Sequence, residues 1–328
     1  MPASVLLRLV AAVAALAVGA GAVTVAALLL SRTPGPVSTA APAAPASSAP
    51  ATPVSVPKPP AGFPAPPAGA TVFSREDGAD TLALGVVPRG SSLLAQVSVL
   101  GSQGEGVRGL AVRFTVQGAE KPGAACGPGC YRATLPLLGA PASVDVDVRG
   151  GAATTRWRVA MPAQWPPADG SALMAQAGRT WRSLRSLSYE EHLASDATHE
   201  VTSSWQIVAP DRVAYRVVGG DDSVIIGGRR WDKAPGGRWV ESPQLPVAQP
   251  VPFWVSVTDA HVLGTSTVDG RRVSVVSFFD PGTPAWFEAE VDAATARTLS
   301  LRMMTTAHFM HDVYGSFDAA TSITAPKK

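Results

Sequence analysis

Charged residues are scarce in this sequence, and those present nearly cancel. Only 16% of its 328 residues are Asp, Glu, Lys or Arg, and the formal net charge is +2. A nucleic-acid-binding surface needs a basic patch or stripe, which this composition does not supply, so we predict no nucleic-acid partner. The chain is instead rich in turn formers, with 31 glycines and 30 prolines, which favours strands and loops over helical bundles.

Enzyme signatures are also missing. The chain has no Gly-x-Ser-x-Gly elbow, phosphate-binding loop, dinucleotide fingerprint or zinc-protease helix. The paired acids Glu190-Glu191 and Asp221-Asp222 have the setting of strand-start and turn residues, and nothing marks an activated nucleophile. We therefore expect that the protein is not an enzyme and needs no cofactor, with copper as the one alternative considered below.

One long apolar run, Leu9 to Leu30, lies near the amino terminus and contains no charged residue. A helix of that length crosses a hydrocarbon core of roughly 30 Å. Signal peptides have shorter apolar regions of about 7–15 residues, so the length favours an uncleaved anchor, although the small residues from Ala40 to Ala46 leave cleavage open. We predict a single-pass anchor in the cytoplasmic membrane over residues 1–32, with its amino terminus inside and the folded domains extracytoplasmic.

Pro, Ala and Ser dominate residues 33–70. Such a segment cannot bury enough apolar surface to fold, so we predict a disordered linker. In a polyproline II conformation, at about 3.1 Å per residue, it would hold the folded part on the order of 100 Å from the bilayer.

Short alternating stretches follow over residues 71–161. In the strictest of them, Val144, Val146 and Val148 alternate with polar residues, which predicts a strand with one buried face. Six or seven such strands in about ninety residues indicate a small β-sandwich.

The only two cysteines, Cys126 and Cys130, lie in this segment in the sequence Cys-Gly-Pro-Gly-Cys. Outside the cytoplasm, two nearby cysteines favour a disulfide, and the glycines let the loop bend. The alternatives are a dithiol that binds copper(I) or exchanges electrons, since thiolates suit soft metals, or free thiols.

Residues 168–326 begin with a predicted helix, Ala172 to Arg185, and continue as strand after strand separated by Gly, Pro and Asp turns. On the helix, Leu173, Ala177, Trp181 and Leu184 recur at helical spacing and form one apolar face. One helix followed by a long antiparallel meander predicts a curved sheet with the helix in its concavity.

This second domain is rich in aromatic side chains, which line pockets for apolar ligands. We predict a ligand cavity beneath the helix, although an ordinary β core would use the same residues. The candidate lining residues are Trp181, Trp205, Trp231, Trp254, Phe278 and Trp286.

Methionine and histidine cluster near the carboxyl terminus at Met304, His308, Met310 and His311. Imidazole suits copper in either oxidation state, and thioether sulfur suits copper(I), so these four residues are candidate metal ligands. Simple strand alternation places Met304, His308 and Met310 on one face and His311 on the other. The alternative is a terminal strand with Met in the core and His at the surface.

Three stretches of the second domain resemble the LolA and LppX-like family of bacterial lipoprotein-sorting and lipid-binding proteins. They are Trp205 to Tyr215 with its Pro-Asp-Arg corner, Val224 to Trp231 with its central glycines, and Trp286 to Asp292 ending in Val-Asp. The resemblance implies an unclosed antiparallel half-barrel with a helix on its concave face, which binds acyl chains or other apolar groups. The chain departs from the family in having a predicted membrane helix in place of a lipidated Cys.

The first domain also carries a resemblance, over Leu84 to Gly90, Leu94 to Val99 and Gly129 to Ala133. These stretches are similar to the immunoglobulin-like extracellular modules of actinobacterial copper-resistance membrane proteins (CopD-type chains with YtkA-like domains). The other membrane helices of such proteins are missing from this sequence, so transport is not implied.

The sequence thus predicts a mainly β protein with one transmembrane helix, a β-sandwich and a half-barrel covered by a helix. The leading hypothesis is an extracytoplasmic module, anchored in the cytoplasmic membrane, that binds a lipid or another apolar ligand or is presented to another envelope protein. The alternatives are a copper-binding accessory protein and a structural envelope module without a ligand.

Overall fold

The structure is a computed structural model that describes residues 57–151, 153–196 and 198–327. The predicted membrane anchor, residues 1–32, and most of the predicted linker lie outside the described residues. Residues Pro57–Lys328 form one compact unit. Within the part of the chain that the structure describes, no helix is both long and apolar enough to cross a membrane.

Nine antiparallel strands build the first module. They are β1 (Thr71–Asp77), β2 (Asp80–Arg89), β3 (Ser92–Leu100), β4 (Ala111–Val116), β5 (Ala119–Pro122), β6 (Ala124–Gly127), β7 (Cys130–Pro136), β8 (Ser143–Gly150) and β9 (Ala153–Ala160). One sheet has the order β1-β2-β3-β7-β6, and the other has the order β5-β4-β8-β9. Side chains of both sheets meet in one buried cluster, which makes the module a two-layer sandwich.

The alternation read from the sequence is seen in strand β8. Val144, Val146 and Val148 are buried there between partly or fully exposed polar residues. They meet Phe114, fully buried on β4, in the cluster between the sheets.

Among the described residues, the second module has one helix and twelve strands. They are β10 (Ala168–Asp169), α1 (Ser171–Ser183), β11 (Ser186–Asp196), β12 (His199–Val208), β13 (Arg212–Val217), β14 (Asp222–Ile226), β15 (Arg229–Lys233), β16 (Val240–Pro243), β17 (Thr258–Val268), β18 (Arg271–Asp280), β19 (Ala285–Asp292), β20 (Thr298–Thr305) and β21 (His308–Gly315).

All twelve strands join one antiparallel sheet with the order β10-β17-β18-β19-β20-β21-β11-β12-β13-β14-β15-β16. A flat sheet of that many strands would be about 50 Å wide, at about 4.8 Å per strand, whereas a helix is only about 10 Å across. Side chains from strands β11 to β14 and β17 to β21 nevertheless meet those of α1 in one buried cluster. The sheet therefore curves around the helix. We call the face that carries this cluster the inner face and the opposite face the outer face.

Helix α1 packs into the sheet through Met174, Ala177 and Trp181, which are each at most 2% exposed. Their spacing of three and four residues places them on one side of the helix. Before the helix, the Asp169 carboxylate accepts a hydrogen bond from the Ser171 amide at 2.8 Å. At Gly170 the chain passes so close to the sheet that an added Cβ would lie 2.8 Å from Cγ1 of Val276.

A short segment before β1 connects the two modules. The Phe63 ring stacks on Phe279 at 5.9 Å and on Trp286 at 5.4 Å between ring centroids. On the sandwich side, Gln96 donates to the Ala65 carbonyl at 2.8 Å, and Ser98 donates to the Pro64 carbonyl. This end of the predicted linker thus lies against both the sandwich and the outer face of the sheet.

Candidate functional site

Four aromatic side chains form a row across the inner face. Tyr314, Tyr189, Trp205 and Tyr215 occupy directly opposed positions on the neighbouring strands β21, β11, β12 and β13. Successive ring centroids are 5.2, 5.5 and 4.3 Å apart. Tyr314 and Tyr189 are buried, whereas Trp205 and Tyr215 are partly exposed. The row therefore runs from the core toward solvent, and we call it the aromatic row.

The solvent-side end of the aromatic row is polar. Arg230 donates to the Tyr215 hydroxyl at 2.8 Å and to the Asp232 carboxylate at 2.8 and 2.9 Å. Ser223, opposite both Tyr215 and Asp232, donates to the same carboxylate at 2.5 Å. The Asp232 carboxylate thus offsets the Arg230 charge at this polar end of the row.

Two buried acids lie beside the buried half of the row. Glu191 on β11 and Asp312 on β21 are directly opposed, and they are 7% and 0% exposed. Glu191 Oε2 accepts hydrogen bonds from the Ser203 hydroxyl at 2.8 Å and from Trp205 Nε1 at 3.0 Å. Asp312 Oδ2 accepts a short hydrogen bond from the Tyr314 hydroxyl, whereas its Oδ1 is buried without a partner. We call Glu191 and Asp312 the acid pair.

Burial perturbs the protonation of these groups. Desolvation raises the pKa of Asp312 well above its ordinary value, and the neighbouring Glu191 raises it further. Desolvation also raises the pKa of Glu191, against the opposing effect of its two hydrogen bonds. The hydroxyl pKa values of Tyr189 and Tyr314 are raised as well, chiefly by burial and then by the nearby acids. The low dielectric favours the neutral forms of all four groups.

Helix α1 and the chain between β16 and β17 cover the inner face. The Trp181 ring of α1 lies edge-on to Tyr314 at 4.7 Å and to Trp254 at 5.9 Å. Phe253, which is partly exposed, lies edge-on to Tyr189 at 6.0 Å. The amides of Val255 and Ser256 donate to the buried carboxylate of Asp280. This carboxylate fixes the chain just after Phe253 and Trp254, whose rings cover the inner face.

The structure brings together four of the six aromatic residues predicted to line a cavity. Trp181, Trp254 and Phe278 belong to the buried inner-face cluster, and Trp205 packs against it. Trp286 is in a separate cluster on the outer face. Trp231 also points to the outer face, since it follows Arg230 and precedes Asp232 on β15.

None of the six predicted aromatic residues lines either of two clefts that lie among the described residues. One, of about 440 Å³, lies between the sandwich and the outer face, where Trp157 and Glu288 are part of its wall. The other, of about 540 Å³, lies near the β17–β18 and β19–β20 turns. The inner face is instead filled by the side chains of α1 and of the chain that carries Phe253 and Trp254.

The candidate copper ligands are distributed over both faces of the sheet. Met304 pairs with Phe309 and His308 with Thr305, so Met304 lies on the outer face while His308 and Met310 lie on the inner-face side. His311 is on the outer face, 6.4 Å from the His192 ring on β11. Within the described ranges, no group of three or more His, Cys, Asp or Glu side chains is placed to hold a metal ion.

The two cysteines lie in the sandwich, far along the chain from these residues. Cys126 and Cys130 form a disulfide with a Cα–Cα distance of 5.0 Å, at the tip of the β6–β7 hairpin.

Sequence reasoning missed the acid pair and three of the four rings of the aromatic row. A usable signal was present, because Tyr189-x-Glu191-x-Leu193 and Met310-x-Asp312-x-Tyr314 each place an acid at the apolar positions of an alternating strand. Such an acid is either a strand-end residue or a buried polar group, and only the register between β11 and β21 shows that it is buried here.

No family model and no curated protein matches the chain. Among solved structures, the Mycobacterium tuberculosis lipoprotein LppX is 9% identical with a TM-score of 0.39, over 48% of this chain and 100% of that one. LprF from Mycobacterium bovis is 11% identical with a TM-score of 0.38, over 49% and 99%. A LolA superfamily protein from Nitrosomonas europaea is 9% identical with a TM-score of 0.23, over 46% and 93%.

These structures bear the family names that the sequence resemblance of residues 168–326 points to. The resemblance of the first module to copper-resistance modules stays a prediction. At these identities and TM-scores the likeness does not establish a family.

Proposed function

We propose that the protein binds an apolar or lipid-like ligand on the inner face of the twelve-stranded sheet and is not an enzyme. The observation that carries this proposal is the aromatic row, which continues from the buried core to the partly exposed rings of Trp205 and Tyr215. With the predicted anchor at residues 1–32, the site would stand outside the cytoplasmic membrane.

The partly exposed rings offer apolar surface that a ligand can cover. Aromatic side chains present about 150–250 Å² each, so two partly exposed rings leave on the order of 100 Å² for contact. At about 25 cal/mol per Å², covering that area contributes about 2.5 kcal/mol. This is enough to retain an apolar chain when further contacts are made deeper in the cluster.

Phe253 is the residue that a ligand would displace to reach those deeper contacts. It is only partly buried, and its ring lies over Tyr189 in the middle of the aromatic row. The bonds of the Val255 and Ser256 amides to Asp280 are separate from this ring contact. We propose that the Phe253 side chain turns outward when the ligand binds, while Asp280 holds the chain behind it.

The proposal is tested by extracting the full chain from bacterial membranes in mild detergent and measuring co-purified lipid by mass spectrometry. We expect a retained apolar molecule in the wild type and a several-fold loss in Trp205→Ala and Tyr215→Ala. Trp239→Ala is the matched control, because Trp239 lies under Lys233 before β16 and outside the inner-face cluster. Equal retention by wild type, Trp205→Ala and Tyr215→Ala would show that the molecule is held elsewhere, and no retained molecule at all would refute the proposal.

A further inference from the structure

We infer that the acid pair, Glu191 and Asp312, selects the polar group of the ligand, so that the inner face accepts apolar molecules carrying a hydrogen-bond donor and rejects those carrying an anion. The donor classes are a hydroxyl group and an ammonium group. The inference rests on the proposed function and adds the chemical class of the ligand to it.

The first step is that Asp312 has an open oxygen in the core, and this oxygen is an acceptor whenever the carboxyl group is ionised. Its side chain is 0% exposed, Oδ2 accepts a hydrogen bond from the Tyr314 hydroxyl, and Oδ1 has no hydrogen-bond partner. Most buried polar atoms in folded proteins are hydrogen-bonded, so an open carboxylate oxygen at a buried position requires an explanation. A donor group on a bound ligand would satisfy it.

The second step is an open donor in the same shell. Trp181 is 2% exposed, and its Nε1 is buried without a partner. Its ring lies edge-on to Tyr314, whose hydroxyl bonds to Asp312. Tyr314 therefore contacts one residue with an unused oxygen, Asp312, and one with an unused N–H donor, Trp181. A hydroxyl group, which donates and accepts, complements both kinds of atom, whereas an ammonium group complements the acceptor alone.

The third step is the charge around the site. Among the hydrogen bonds and ion pairs of the described residues, neither Glu191 nor Asp312 has a Lys, Arg or His partner. The guanidinium at the end of the aromatic row, Arg230, is held by Asp232. A carboxylate or phosphate placed beside the acid pair would find like charge or neutral acid, and neither acid holds a cation that could offset its desolvation.

The last step is access. Glu191 follows Tyr189 by two residues on the same face of β11, and Tyr189 is the ring that Phe253 covers. A ligand that displaces the Phe253 side chain therefore reaches Tyr189 and then the acid pair. Its apolar chain would remain along Trp205 and Tyr215, toward solvent.

The test uses the full chain in lipid nanodiscs with three photoreactive probes that share one twelve-carbon chain and differ in the head group. The heads are an alcohol, a primary amine and a carboxylic acid, and each probe carries a diazirine next to its head. After irradiation, peptide mass spectrometry measures labelling within residues 189–193 and 310–314. Mapping to these residues separates binding at the site from partition into the bilayer.

We expect the alcohol and the amine to label these segments at least about tenfold more than the acid, since a site built around unpaired polar atoms discriminates strongly by head group. Asp312→Asn should reduce this ratio several-fold, because an amide always offers N–H donors to a carboxylate and has no charged form that repels an anion or attracts an ammonium group. Glu191→Gln should act in the same direction and replaces the first variant if that one fails to fold. Glu190→Gln is the matched control, because Glu190 is exposed on the opposite face of the same strand.

Equal labelling by all three probes, or a ratio unchanged in Asp312→Asn and Glu191→Gln, would overturn the inference and leave the proposed function standing. Preferred labelling by the acid would overturn it as well. If no probe labels either segment above the level of the sandwich peptides, the proposed function itself fails. Labelling by the alcohol without the amine would support the inference and restrict the donor to a hydroxyl.

Discussion

Asp312→Asn should make the protein more stable at neutral pH and leave it unchanged in acid. The wild-type carboxyl is fully buried, has one open oxygen and lies opposite Glu191. Burial, and then the Glu191 charge, raises its pKa well above 3.8 in the folded protein. An amide of nearly the same shape accepts the Tyr314 hydrogen bond and has no charged form to desolvate.

The size of the effect follows from proton linkage. The unfolded chain ionises Asp312 near its ordinary pKa, whereas the folded chain keeps the proton to higher pH. Above the ordinary pKa the unfolded state thus binds fewer protons, so the free energy of unfolding falls as pH rises, until the raised pKa is reached. The slope is about 1.4 kcal/mol per pH unit for one group, and the variant lacks it.

Urea unfolding followed by tryptophan fluorescence, from about pH 4 to about pH 8, measures this difference. We expect equal stability near the acid end of the range and a gap of about 1.4 kcal/mol per pH unit in favour of the variant above it. Asp269→Asn is the control, because Asp269 is exposed in the turn between β17 and β18. A gap that is independent of pH, or that favours the wild type, would refute the reasoning.

Three further predictions concern other parts of the molecule. In urea titrations, the wild type should lose up to about 3 kcal/mol of its free energy of unfolding between about pH 7 and about pH 4, and His308→Gln should remove this loss. Burial lowers the pKa of His308 from 6.5 to about 4, so the unfolded chain takes up the proton first. Phe63→Ala should lower the free energy of unfolding by about 3 kcal/mol, because the ring stacks on Trp286, and should speed proteolysis between residues 160 and 168; unchanged cleavage there would contradict a connecting role. Reducing the Cys126–Cys130 disulfide should cost only about 2 kcal/mol, because the loop is short, and should leave probe labelling of the inner face unchanged.

Periodicity in the sequence predicts the elements of the second module well. The helix expected over Ala172 to Arg185 is found at Ser171–Ser183, with Ala177 and Trp181 buried as its spacing indicates. The turns expected at Pro-Asp, Gly-Gly and Asp-Gly positions separate antiparallel strands of one sheet. Local signals suffice here because each strand pairs mostly with its neighbour along the chain.

The stretch from Val255 to Val257 shows where a local signal fails. Its composition, with two β-branched residues in three, predicts a strand, but no strand forms there. The amides of Val255 and Ser256 donate to the Asp280 side chain, so they do not form hydrogen bonds with a neighbouring strand. The backbone conformation of this stretch thus depends on the Asp280 carboxylate, which is 24 residues from Ser256 along the sequence. The residues of the stretch itself give no sign of that contact.

The predicted grouping of Met304, His308 and Met310 fails for a geometric reason. Counting alternate residues assumes one continuous strand, but a two-residue turn separates β20 from β21. Because Thr305 pairs with His308, the residues on one face change from odd to even numbers across the turn. Met304 therefore shares the outer face with Phe309, and His308 and Met310 lie on the other side. Hairpin turns must be placed before alternation can be used to assemble a metal site.

The two faces of the curved sheet differ in how completely their aromatic side chains are covered. On the outer face, Phe279 and Trp286 are each at most 3% exposed, because Phe63 and the sandwich lie against them. On the inner face, Trp205 and Tyr215 remain partly exposed after α1 and the Phe253 segment have packed. Since the sandwich already occupies the outer aromatic surface, a ligand that seeks aromatic contact would bind the inner face. The acid pair lies on that same face, so the aromatic surface left open and the buried polar atoms left unpaired belong to one site.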